Sequence, residues 1–134
     1  MRKSLFLLIL VFLTKNSYAF SDLTQKEKKF ICTKALAKLN FNKSSDYKFH
    51  SKFNSILNFY SKMQYPYQCT ISIYGKEIEA WSIELWSPPD DTGPGWQSIR
   101  PSGIIVRQRN CLLLEIEDVS LKIKHQERYC DKIK

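Results

Sequence analysis

The sequence predicts an α+β fold, in which one N-terminal helix packs on a curved antiparallel β-meander of six or seven strands held by two disulfides. Three observations predict it. Residues 24–39 carry a helix start signal and helical apolar spacing. Almost everything after them reads as short runs of period two, separated by turn residues. Four cysteines are spread through the chain. A helix followed by hairpin-connected strands buries its apolar stripe on one face of the resulting sheet.

The first segment is a targeting signal. Arg2 and Lys3 precede nine apolar residues, Leu5 to Leu13, and Ser17-Tyr18-Ala19 places small residues where a signal peptidase reads. Nine residues span about 14 Å as a helix, short of a ~30 Å hydrocarbon core. Cleavage is expected after Ala19, leaving residues 20–134 as a single domain with no transmembrane segment. The signal takes Arg2, Lys3 and Lys15 with it, so the formal charge falls from +8 to +5. A periplasmic or secreted location follows. Export, and not charge, argues against a nucleic-acid partner. The basic surplus suits an acidic protein or an anionic envelope surface.

Thr24-Gln25-Lys26-Glu27 is a capping-box pattern. From there to Leu39, Cys32, Ala35, Leu36 and Leu39 share one face with Ile31 at its flank, and Asn40 is a stop. Residues 41–46 are a polar loop. Residues 47–53 form a weak strand and 55–62 a better one, and 63–66 turn the chain.

The central feature is a hairpin. Tyr67, Cys69, Ile71 and Ile73 alternate with polar neighbours, and Gly75-Lys76 supplies a tight turn. On the return strand, Ile78 and Ala80 are out of phase with Trp81, Ile83 and Leu85. Either a three-residue loop or a bulge near Ala80 resolves this. The first option sets Ile71 opposite Trp81, Cys69 opposite Ile83 and Tyr67 opposite Leu85, and is preferred because that layer is apolar throughout.

Residues 87–95, SPPDDTGPG, form a loop with few open conformations. Strands follow at 103–107, 111–117 and 121–129. A hairpin centred near Ser120-Leu121 sets Cys111 opposite Cys130, within disulfide reach. Cys32 on the inner helix face then meets Cys69 on the inner hairpin face. The expected pairs are Cys32–Cys69 and Cys111–Cys130. No C-x-x-C pair exists, so a zinc site is not expected.

A helix cysteine, Tyr67-x-Cys69, Gly75-x-x-Ile78, Trp81 and Gly95-Trp96 together resemble small exported bacterial helix-plus-β-meander proteins of unknown role. The resemblance covers about half the mature chain and implies a fold, not an activity. The second cysteine pair and the proline loop lie outside that pattern.

The chain has no G-x-S-x-G, H-E-x-x-H or glycine-rich phosphate motif. Its two histidines, His50 and His125, sit in separate strands. Asp90 and Asp91 are adjacent in the proline loop, with no ladder of further oxygen ligands. No enzyme activity, cofactor or metal is therefore expected. The candidate partner-binding site is the loop, with Trp86, Asp90, Asp91 and Trp96. The alternative is that both tryptophans fill the core and the loop only crosses the sheet end. The function expected is a protein-binding module, an inhibitor or immunity-type protein acting on a toxin or cell-wall enzyme. A carrier of a small ligand or lipid is the second reading, and an enzyme using His50 or His125 with a loop carboxylate the third.

Overall fold

A computed structural model describes residues 20–40, 42–89, 95–118 and 123–130. The expected signal segment and cleavage point lie outside them, as do Asp90 and Asp91. Helix α1 spans Gln25–Asn40 and a 3-10 turn spans Ser44–Asp46. The strands are β1 (Tyr47–Phe53), β2 (Ile56–Ser61), β3 (Pro66–Gly75), β4 (Ala80–Ser87), β5 (Gln97–Gln108), β6 (Cys111–Asp118) and β7 (Ile123–Cys130). They form one antiparallel sheet in chain order, so every neighbour in space is a neighbour in sequence.

The helix starts as its sequence dictates. The Thr24 hydroxyl accepts from the Glu27 N–H at 3.1 Å, and the Glu27 carboxylate accepts from the Thr24 N–H at 2.9 Å. Two otherwise orphaned donors are thus satisfied. At the other end, the Asn40 amide donates to the Tyr47 hydroxyl at 2.8 Å. Ile31, Cys32, Ala35, Leu36 and Ala37 are buried.

The helix touches both edge strands. Phe30 meets Tyr129 of β7 edge-to-face, and Lys38 pairs with Glu127 of β7. Lys29 lies 4.0 Å from the centre of the Phe49 ring on β1. Seven strands laid flat would span about 29 Å at ~4.8 Å each, whereas a helix is only ~10 Å across. One helix meets both edges only if the sheet curls around it.

The inner face forms apolar rungs. Leu57, Cys69, Leu85 and Ile99 lie side by side, as do Ile71, Ile83, Gly103 and Ile116. Both disulfides join the expected cysteines: Cys32–Cys69 ties helix to sheet, and Cys111–Cys130 closes the β6–β7 pair. Gly103 is required by packing. A Cβ there would lie 2.8 Å from Ile83 Cγ2 and 3.1 Å from the Glu115 carbonyl. Gly103→Ala should therefore destabilise by about 1–3 kcal/mol, as overpacking does, measurable by urea denaturation. An unchanged midpoint would refute it.

Two expectations are corrected. The β3–β4 register is displaced by two residues: Trp81 faces Ile73, Ile83 faces Ile71 and Leu85 faces Cys69. The turn occupies residues 76–79. Its left-handed residue is Glu79, at φ 48, while no glycine among the described residues has positive φ. The irregularity falls between Ile73 and Gly75 on β3, opposite Trp81 and Ala80, which is the bulge near Ala80 that the sequence left as the second option. The second correction concerns β5, which starts at Gln97 and not at Gly103.

Candidate functional site

The meander sorts its connections by end. The β1–β2, β3–β4 and β5–β6 turns lie at one end, and the β2–β3, β4–β5 and β6–β7 connections at the other. Trp86 and Trp96, which flank the proline loop in sequence, both lie at the second end, here the loop end.

Trp86 alternates with buried Leu85, so it points to the sheet face away from the helix. It is half-buried, and its indole N–H donates to the Thr70 hydroxyl at 3.2 Å. Trp96 is 37% exposed. The core tryptophan is Trp81, 1% exposed, so the alternative that Trp86 and Trp96 fill the core is wrong. Trp86 sits in a rung that crosses five strands: Ser51, Asn58, Gln68, Trp86 and Ser98. The Gln68 amide donates to Asn58 Oδ1 at 3.2 Å, and Ser98 donates to the Glu84 carboxylate at 2.6 Å. At ~4.8 Å per strand this polar and aromatic strip is about 19 Å wide.

The β2–β3 turn stands at the same end. Met63 is 91% exposed and Tyr65 is 44% exposed. The turn is held by three short bonds: Gln64 N–H to the Ser61 carbonyl at 2.8 Å, Ser61 N–H to the Tyr65 carbonyl at 2.9 Å, and Tyr65 N–H to the Ser61 hydroxyl at 3.0 Å. Tyr65 packs on Tyr67 at 5.3 Å between ring centres, and Tyr67 on Tyr47 at 5.8 Å. Burial, then the neighbouring phenols Tyr47 and Tyr65, push the Tyr67 hydroxyl above its ordinary pKa. It therefore stays a neutral hydrogen-bonding group. Sequence reading treated residues 63–66 as a plain turn. The missed signal was composition: Met63 and Tyr65 occupy positions where a solvent turn ordinarily carries Gly, Pro, Asn, Asp or Ser.

The histidines do not converge. His50 is exposed on β1, its Nδ1 3.0 Å from the Ser51 hydroxyl and its ring edge-on to Tyr60. No carboxylate hydrogen-bonds His50 among the described residues, so the Ser51–His50 contact lacks the orienting third member of a triad. His125 lies beside the buried Ile116 on the helix-facing side of β7. No group of three or more His, Cys, Asp or Glu is placed to hold a metal ion among the described residues. Nor is any helix among them long and apolar enough to cross a membrane.

The site thus has fixed aromatic anchors, a polar strip and a hydrogen-bonded turn, a set suited to recognition. No protein-family model, curated protein or solved structure matches the chain.

Proposed function

We propose that this is an exported, non-enzymatic protein-binding module, an inhibitor or immunity-type protein that blocks a toxin or a cell-wall enzyme through its loop end. One observation carries the reading: Met63 and Tyr65, on a turn fixed by its own hydrogen bonds, stand at the same end as Trp96. Tyr, Trp and Met are enriched where protein interfaces bury surface, and a preset turn loses little entropy on binding. Two disulfides suit an oxidising compartment, periplasmic or extracellular. The space between helix and sheet holds Trp81, Phe59, Leu36 and their neighbours, so nothing among the described residues favours the ligand-carrier reading.

The test is affinity capture from bacterial envelope extract with the oxidised protein, followed by titration of the partner retained. Trp96→Ala and Tyr65→Ala should each weaken binding about tenfold or more, as interface anchors do. Capture of nothing, or equal affinity in both variants, would remove the loop end as the site.

A further inference from the structure

Beside the loop end, on the face away from the helix, β1 and β2 form a groove of ≈ 240 Å³. Asp46, Lys48, His50, Tyr60, Lys62 and Gln64 are among the residues that line it, together with Ser61. Lys48 is the cross-strand neighbour of Tyr60, and Lys62 follows it by two residues. The His50 ring stands 5.0 Å from that of Tyr60 at 87° and forms the adjoining wall.

The cations of the molecule divide into paired and unpaired. Lys28, Lys38, Lys124 and Arg107 each have a carboxylate partner. Lys48 and Lys62 are exposed and have none among the described residues. Lys26, Lys43, Lys52, Lys76 and Arg109 also lack a carboxylate partner among the described residues; the groove is set apart by two unpaired lysines lining one concavity. The carboxylate of Asp46 is itself engaged, accepting the Lys43 N–H at 3.2 Å. A lysine on an edge strand has a bland use, since it deters unwanted strand pairing. That accounts for Lys48 but not for Lys62, which lies in a turn, nor for the aromatic wall between them.

We infer that this groove binds a carboxylate side chain from an acidic segment of the protein partner. The inference rests on the protein-binding reading and names the chemistry of that partner. Lys62 and Gln64 belong to the same turn as Met63 and Tyr65. The turn that carries those anchors also contributes Lys62 and Gln64 to the groove, so a protein seated on the turn is the nearest source of an anion. Two unpaired ammonium groups attract a carboxylate, and the Ser61 hydroxyl and Gln64 amide add neutral donors. The volume accommodates one side chain with several waters.

The test needs no knowledge of the partner. Hexaglutamate is titrated into the isotope-labelled oxidised protein and followed by amide chemical shifts. Residues 46–50 and 60–64 should move, and the Lys48→Gln/Lys62→Gln double variant should bind roughly tenfold more weakly, the combined effect of two surface ion pairs. Hexaglutamine should leave the same signals in place. Shifts spread over all lysine-bearing surfaces, or unchanged by the double variant, would overturn the site. Tighter binding of an oligogalacturonate at the same residues would overturn the peptide and assign the groove to an acidic glycan. Hexaglutamate binding in the groove alongside a failed envelope capture would keep the anion site and remove the protein-partner reading. Partner capture without it would do the reverse.

Discussion

Trp81→Ala is expected to lower the unfolding free energy by about 3–5 kcal/mol, the range for removing a large buried aromatic, and Tm by on the order of 15 °C. The residue joins three elements. Its ring packs 5.7 Å from Phe20, its N–H donates to Asp22 at 2.9 Å, and the Arg107 guanidinium lies 5.5 Å over its face. Arg107 in turn reaches Glu27 in the first turn of α1 and the Ser21 carbonyl, both at 3.4 Å. Its Nε is buried and has no hydrogen-bond partner among the described residues, so the indole face supplies contact that no acceptor provides. Losing the ring therefore opens a cavity and also releases the segment that leads into the helix. Trp81→Phe separates the two effects. It keeps most of the packing and loses the bond to Asp22, so it should cost only about 1–2 kcal/mol. Thermal denaturation of both variants decides the matter, and a Trp81→Ala protein melting within a few degrees of wild type would refute the account.

What the sequence revealed, and what it did not, follows from the range of the determining forces. The start of α1 was legible because Thr24 and Glu27 satisfy each other's backbone within a single turn. The β6–β7 register was legible because a cysteine pair and an apolar alternation agree on one centre. The β3–β4 register was not. Glycine is the usual residue for a left-handed turn position, so Gly75 drew the turn toward itself. Instead Glu79 adopts that conformation, at a local cost of about 1–2 kcal/mol, offset by the β5 pairing and by the burial of Trp81, Ile83 and Leu85. The first half of β5 was hidden by Pro101, which reads as a breaker. It lies where the β4–β5 register shifts between Ile83 and Leu85, a place where a missing donor does no harm. For the candidate site, Trp86 and Trp96 were legible as exposed-loop neighbours. The placement of Met63 and Tyr65 beside them was not, because it depends on which connections share an end of the sheet, and the Lys48–Lys62 groove was not, because it depends on the β1–β2 register.

Removing the Cys32–Cys69 bridge by a double alanine substitution should cost about 3–4 kcal/mol. The bridge spans a sequence separation of 37, and the chain-entropy estimate for such a loop falls in that range. The same change at Cys111–Cys130, with a separation of 19, should cost only about 0.6 kcal/mol less. Stability alone therefore distinguishes the two bridges poorly, but function should separate them. Cys69 lies three residues into β3 from the loop end, and its neighbour Gln68 is the cross-strand partner of Trp86. Cys111 and Cys130 close the opposite end, next to the β5–β6 turn. Loss of the first bridge should weaken partner binding and also lower the denaturation midpoint. Loss of the second should lower the midpoint and leave affinity within about twofold at a temperature where the variant is folded. The measurement is urea denaturation of each double variant paired with titration of the captured partner at 10 °C. Equal losses of affinity in both would mean that the bridges act only through global stability, and would detach the binding surface from the helix-to-sheet staple.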